Sequence, residues 1–376
     1  MTPKIEDFLR RKRPETPCLI VDLDVVSENY RRLRAALPQA EIYYAVKANP
    51  AAPVITTLCN LGSKFDVASL DEIDRCLAAG ADPVHLAYGS TAKKPSEIAT
   101  AYARGVRMFA LDSMTELEKI AIGAPGSKVF CRILVENKGA LWPLGEKFGC
   151  AVEFAIDLMI AARQKGLVPY GISFHVGSQQ IDLAQWDIAI GQAAMVFTAL
   201  REKGIDLAML NLGGGLPTRY RDDVPDEHAV AEAIMSAMTR HFGNRMPTMM
   251  LEPGRFIVAN AGLVRSEVIL VTTKRPGDET RWVYLDVGRF GGLAETEGEM
   301  IQYELRTKYK DGEVGPVVVA GPTCDGVDIL YRKAGYRLPK DLACGDHVDV
   351  LSAGAYTASY ASIGFNGFPP LREYYI

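Results

Sequence analysis

The sequence contains no CxxC pair, and its seven cysteines (18, 59, 76, 131, 150, 324 and 344) are scattered and odd in number. Reduced thiols in a cytoplasm fit this better than a disulfide framework. No apolar run reaches membrane-spanning length. Met1 to Arg13 is charged and has no apolar core segment, so no secretory signal is expected. Basic charge is not in excess: 42 Lys and Arg stand against 46 Asp and Glu, for a net charge of −4. With no basic run interleaved with aromatics, a nucleic-acid partner is excluded. The five histidines form no HExxH, so no dedicated metal site is suggested. Neither GxxxxGK[ST] nor a dinucleotide fingerprint occurs, which argues against NTPase and Rossmann readings. What remains is a chain of 376 residues, 48% hydrophobic and 23% charged, of the size of one large or two ordinary domains of a globular enzyme.

From Ile42 the chain alternates strands and helices. Apolar strands are expected at 42–47, 65–68, 84–88, 107–111, 129–135, 170–176, 208–212 and 248–251. Helices are expected at Leu70–Ala79, Pro95–Arg104, Thr115–Ile122, Val152–Lys165, Leu183–Lys203 and Glu227–Phe242. Gly80, Gly105, Gly166 and Gly204 follow four of them and suit helix ends. About eight βα units result, the rhythm of a (β/α)8 TIM-like barrel. An open doubly wound sheet fits the alternation almost as well. The polar residues tip the choice, because Lys47, Asp66, His175, Gly213 to Gly215 and Glu252 fall at or just past strand carboxyl ends. A closed barrel gathers all such ends on one face. Beyond Arg255, short strands at 262–273, 281–287, 315–320, 329–332 and 347–351 describe a mostly β C-terminal domain. A strand at 17–22 precedes the barrel and is placed in that sheet, and a helix with Ser27 as its N-cap follows. The expected division is 27–258 for the barrel, with 1–26 and 259–376 forming the β domain. Residues 1–16 read as a leader or a short amphipathic piece.

Four stretches carry chemistry. Ile42-Tyr43-Tyr44-Ala45-Val46-Lys47 runs five apolar or aromatic residues into one lysine. Such a lysine either snorkels to water or forms a Schiff base. Gly213-Gly214-Gly215 is either a plain turn or a set of amides wrapped around a phosphate. Glu252 and Arg255 either pair with each other, or serve separately as partner of a cationic ring nitrogen and as phosphate fork. His175 is either a satisfied structural residue or a flat imidazole stacked on a ring, with Ser178 reaching a phosphate. A lysine, a carboxylate, a glycine loop with an arginine, and an imidazole together describe a pyridoxal 5'-phosphate site.

These segments resemble a known family. Tyr44-Ala45-Val46-Lys47-Ala48-Asn49, Ser173-Phe174-His175-Val176-Gly177-Ser178, Gly213-Gly214-Gly215, Glu252-Pro253-Gly254-Arg255, Gly321-Pro322-Thr323-Cys324-Asp325 and Gly354-Ala355-Tyr356-Thr357 are similar to those of the fold type III, alanine-racemase-like group 4 decarboxylases. Ala361-Ser362-Ile363-Gly364-Phe365-Asn366-Gly367-Phe368 looks like the ornithine decarboxylases among them. The resemblance runs from about residue 17 to 370. It implies that Lys47 holds the cofactor, that Glu252 binds its ring nitrogen and that His175 stacks on the ring. Ser178, the Gly213 to Gly215 amides, Arg255 and Tyr356 are implied to hold the phosphate, with Asp66 near the lysine and Arg132 ordering the region. Cys324 is implied as the acid that reprotonates Cα, with Lys47 as the fallback, and Asp325 as a ligand of the substrate's distal ammonium. Cys324 and Asp325 are implied to reach the site from the partner subunit of a homodimer with shared active sites.

The implied reaction is decarboxylation of L-ornithine to putrescine and CO2, with L-lysine to cadaverine as a second activity. A lysine-preferring or arginine-type enzyme is the alternative, and a non-catalytic regulatory homologue a further one. A second distal acid is expected from Glu295, Glu297 or Glu299, where the sequence departs from the eukaryotic ornithine decarboxylases. Asp328 is another candidate.

Overall fold

The computed structural model describes residues 1–309 and 311–376. Eight parallel strands close into a barrel in the order Ala40–Ala45, Lys64–Val67, Leu86–Tyr88, Met108–Leu111, Lys128–Arg132, Val168–Ser173, Met209–Asn211 and Thr248–Leu251, the last pairing with the first. Most of these strands are apolar and buried on both faces, as parallel strands wrapped by helices must be. Tyr43, Ala87, Met108, Ala110, Phe130, Met209 and Met250 pack together as one cluster of buried side chains. The open-sheet alternative is thereby excluded.

Three of the barrel helices begin where a short polar side chain offers an acceptor. Ser69 accepts the Glu72 amide, Ser113 the Glu116 amide and Asp226 the Ala229 amide. Gly80, Gly105, Gly166 and Gly204 follow helix ends with positive φ. Two local expectations shift. The first barrel strand stops at Ala45, two residues before Lys47. The helix after it opens at Ala52, with Pro53 in its first turn. The helix expected to be capped by Ser27 starts earlier and spans Leu23–Ala36. Asp22, 3% exposed, accepts the Asp24 amide there and supplies an acceptor ahead of Ser27.

The chain divides into two units. One comprises Ser27–Pro217 and Val224–Phe256, the other Met1–Val26, Thr218–Asp223 and Ile257–Ile376. In the second unit a nine-stranded sheet is built around Gly262–Thr272. Cys18–Val21 pairs antiparallel with that strand and parallel with Arg372–Tyr375, so the N-terminal strand joins this sheet. Leu305–Thr307, Arg337–Pro339 and Arg372–Tyr375 carry no apolar alternation that a sequence reading would select. Pro3–Lys12 is a helix that buries Ile5 and Leu9 against Cys18, Ile20 and Leu263.

Within the barrel unit, Arg32 donates from Nε and Nη2 to the two carboxylate oxygens of Glu227, each at 2.7 Å. Glu227 is 5% exposed. Arg32→Ala strands a buried carboxylate and is expected to cost about 2 kcal/mol. The loss should appear as a lower urea midpoint, most of it recovered by adding Glu227→Leu. An unchanged midpoint in the single variant would contradict the assignment.

Candidate active site

Strand register brings the polar residues together. Ala45 lies opposite Asp66 in the first strand pair of the barrel. The Ala45 amide donates to the Pro253 carbonyl, and the chain turns through a short 3-10 segment, Val46–Ala48. That turn carries Lys47 back over its neighbour, and Nζ meets Oδ2 of Asp66 at 2.9 Å. Asp66 is 4% exposed in its side chain and Lys47 49%. The amine is therefore held by a buried carboxylate. Gly89 makes room for this pair: a Cβ there would stand 2.0 Å from Oδ1 of Asp66.

Glu252 follows the last barrel strand directly. Its hydrogen-bond partner is Asn211, not Arg255: Nδ2 of Asn211 donates to Oε1 at 2.5 Å. The Gly213 amide donates to Oδ1 of Asn211 at 2.9 Å, which assigns the oxygen to that end and leaves the nitrogen for Glu252. Asn211 is fully buried, and one side chain thus links the glycine loop to the carboxylate. Burial pushes the Glu252 carboxyl up to about 7; Asp66 adds to the shift, while Lys47, Asn211 and Arg132 oppose it. Arg132 ends its strand and lies opposite Ser173, two residues before His175. Burial holds the His175 ring well below the ordinary imidazole range, with Arg132 and Lys47 contributing. The ring is neutral at physiological pH. Its Nδ1 accepts the Gly177 amide at 3.1 Å, so the proton sits on Nε2.

The glycine loop packs without room for side chains. A Cβ at Gly213 would lie 2.3 Å from the Phe174 carbonyl oxygen, and one at Gly215 2.5 Å from that of Gly177. Both residues have positive φ, at 67° and 95°. A Cβ on Gly214 would press on the Glu252 carbonyl and on Nε2 of His175. Among the described residues, the amides of Gly214 and Gly215 donate to no protein acceptor. Arg255 is 4% exposed and donates from Nε and Nη2 to the Ser178 hydroxyl at 3.2 and 3.1 Å. A buried guanidinium on a serine and a side-chain-free loop with available amides fit a phosphate. With Glu252 for a ring nitrogen, a neutral His175 ring and the Lys47 amine, the residues present fit pyridoxal phosphate.

The other expected site residues lie in the second unit. Tyr356 adopts φ 54° in the turn after Gly354. Cys324 is exposed, and its amide donates to Oδ1 of Asn366 at 2.9 Å. Oδ1 of Asp325 accepts the Val327 amide at 3.0 Å. Glu295 is buried, and Glu297 faces Arg289 at 3.3 Å with its side chain 69% exposed. Glu299 accepts the amides of Arg332, Lys333 and Ala334, so its carboxylate is committed to a turn. Asn211, Gly89 and Asn366 had no role assigned from the sequence. Asn211 directly precedes the triple glycine, and that position was its only signal.

Comparison with known proteins agrees with this geometry. Residues 23–259 match the family model of the pyridoxal-dependent decarboxylase pyridoxal binding domain. A lysine/ornithine decarboxylase of Selenomonas ruminantium is 37% identical over 95% of this chain and 88% of its own. An ornithine decarboxylase of Schizosaccharomyces pombe is 31% identical over 95% and 82%. The structure of a lysine/ornithine decarboxylase from Vibrio vulnificus complexed with cadaverine superposes with a TM-score of 0.88 at 30% identity, covering 99% of this chain and 97% of that one.

The elevated Glu252 carboxyl carries a pH signature. In the cofactor-free fold it keeps a proton up to about pH 7, whereas an unfolded glutamate releases it near 4.3. The folded state binds the extra proton between those values, so this group's contribution to stability falls as pH rises from about 4.5 to 7. The stability difference between cofactor-free wild type and Glu252→Gln should decline across that window. A flat difference would contradict the assignment.

Proposed function

We propose that this chain, which belongs to the pyridoxal-dependent decarboxylase family, removes the α-carboxylate of L-ornithine to give putrescine and CO2, with L-lysine as a second substrate. The observation that carries the reading is the meeting of the Lys47–Asp66 pair, the Glu252 carboxylate and the Ser178–Arg255 cradle on the carboxyl ends of one barrel.

When bound, pyridoxal phosphate supplies the electron sink that accepts the pair left behind as CO2 departs. The chain's own residues do the rest. Lys47 would supply the amine that holds the cofactor at the mouth of the barrel. Asp66 keeps Lys47 in place at 2.9 Å. Glu252, braced by Asn211, holds the proton at the ring nitrogen. Ser178, Arg255 and the loop amides anchor the phosphate, together with Tyr356, and neutral His175 covers the ring face. Arg132 balances the two carboxylates of the mouth. One CO2 leaves and one proton is added to Cα, for which Cys324 is the donor. Asp325 binds the distal ammonium, with Glu295 or Glu297 as the second acid.

Cys324 and Asp325 are placed in the site of the partner subunit of a homodimer, on the resemblance of the Gly321–Asp325 motif. A cytoplasmic location is consistent with the seven free cysteines. Among the described residues no helix is long and apolar enough to cross a membrane.

Lysine preference is the second reading, because the Selenomonas ruminantium relative is named for both substrates and the Vibrio vulnificus structure contains cadaverine. One methylene separates the two amino acids, worth about 1–3 kcal/mol in a simple pocket. A regulatory, non-catalytic role is disfavoured by the presence of Lys47, Cys324, Asp325 and the glycine loop.

The purified protein should show a cofactor absorbance band near the visible edge that borohydride removes, and Lys47→Ala should lose both band and turnover. Unchanged turnover in Lys47→Ala would overturn the mechanism. Side-by-side kcat/KM on ornithine, lysine and arginine should favour ornithine; a tenfold preference for lysine would replace it. Asp325→Ala should raise KM for ornithine and lysine by tenfold or more while the absorbance band persists, and an unaltered KM would remove Asp325 from the substrate.

A further inference from the structure

Gln180 is fully buried, and both ends of its side-chain amide are in use. Nε2 donates to the Val176 carbonyl at 2.7 Å and to the Lys138 carbonyl at 3.0 Å. Oε1 accepts the Asp182 amide at 2.9 Å. Two carbonyls at one end and an amide at the other fix which end is nitrogen. The backbone amide of Gln180 donates to the Gly215 carbonyl at 2.9 Å. The reaction described above gives this residue no task.

Its bonds clasp the turn in which Ser178 sits. Val176 lies two residues before Ser178 and Gln180 two residues after it, so the bond from Nε2 to Val176 closes the turn from inside. The residues flanking Ser178 have positive φ, 96° at Gly177 and 58° at Gln179. The second is unfavourable for a residue with a side chain, and such a backbone persists only where its surroundings hold it. Outside the turn, Ala140–Trp142 runs antiparallel to Ser178–Gln180, with Trp142 opposite Ser178. The bond to Lys138 ties that segment in. The bond to Gly215 joins the turn to the glycine loop. His175 has a separate tie, its carbonyl accepting Nδ2 of Asn137 at 3.2 Å.

We propose that Gln180 is a positioning residue for the phosphate cradle: it fixes the Ser178 hydroxyl relative to the Gly213 to Gly215 amides, and so sets how strongly the chain prefers a phosphorylated cofactor. The proposal rests on the reading of Ser178, Arg255 and the glycine loop as the phosphate site. Donors set in place before the anion arrives lose little freedom on binding it, and donors left loose forfeit affinity. Removing the Nε2 donors strands two buried carbonyls and releases the turn. The phosphate contacts should suffer before the ring contacts do.

The test titrates the cofactor-stripped full chain with pyridoxal 5'-phosphate and with pyridoxal, which lacks the phosphate, and records the melting temperature of the stripped chain alongside. Gln180→Met keeps the length and removes both donors. Gln180→Glu keeps the shape and sets a carboxylate against two carbonyls. Both are expected to raise Kd for pyridoxal 5'-phosphate about tenfold or more while Kd for pyridoxal changes less than about threefold. Gly139→Ala reaches the same side chain from the Lys138 segment, since a Cβ there would come 2.9 Å from Oε1 of Gln180. It should shift the two constants in the same unequal way, and it decides alone if neither Gln180 variant folds. An equal rise for both ligands, or a lowered melting temperature with both constants unaltered, would show a merely structural role and overturn the proposal. Arg255→Met tests the premise and should also cut the preference for the phosphorylated ligand. If it does not, the phosphate site itself is misassigned and this inference falls with it. If it does while the Gln180 variants keep the wild-type preference, the inference alone fails.

Discussion

Strand register is the constraint on which the site depends. Parallel pairing sets Ala45 beside Asp66, Arg132 beside Ser173, and Asn211 beside both Ser173 and Met250. From those pairings the functional groups follow within one or two residues: Lys47 beyond Ala45, His175 beyond Ser173, the glycine loop beyond Asn211, Glu252 beyond Leu251. A slip in any pair would move a whole functional group relative to its neighbours, because side chains alternate along a strand. Buried apolar strand faces hold the register, so the chemistry is placed by packing that has no chemistry of its own.

The electrostatics of the barrel mouth follow from that placement. Asp66 and Glu252 share it with Lys47 and Arg132, and the buried Glu72 carboxyl feels both Lys47 and Asp66. Asp66 takes Lys47 at close range, and Glu252 is left with a neutral amide donor and an elevated pKa. A cationic ring nitrogen is the partner that this carboxyl lacks, and His175, already neutral, adds no repulsion to it. The same residues that look poorly matched as a set of side chains are matched once the ring is counted.

Much of this was legible in the sequence. Eight βα units, the crossover to a β-rich region and the N-terminal strand all left periodic or compositional traces, because burial on one or two faces writes itself into residue order. Lys47, His175 and Glu252 stood out because polar residues at the ends of apolar runs are rare. The misplaced details have local causes. Lys47 continues an apolar run, so the strand seemed to include it, whereas the Ala45 amide leaves the ladder for Pro253. Asn211 and Gly89 act through contacts with Glu252 and Asp66, far away in sequence, and such contacts have no period to detect. Arg372–Tyr375 is a strand because Cys18–Val21 offers it an edge, not because of its own residues.

That last pairing bears on how the chain is made. Cys18–Val21 is synthesised before the whole barrel, yet its neighbours are Gly262–Thr272 on one side and Arg372–Tyr375 on the other. The strand must wait through the synthesis of the entire barrel with both edges unpaired. The barrel strands, by contrast, meet mostly their sequence neighbours. Sequence-local contacts form fastest, so the cofactor-binding barrel is available to fold while the second sheet is still missing its outer strand. Completion of that sheet follows synthesis of the barrel, and until it occurs a strand that ends wholly buried is an exposed edge.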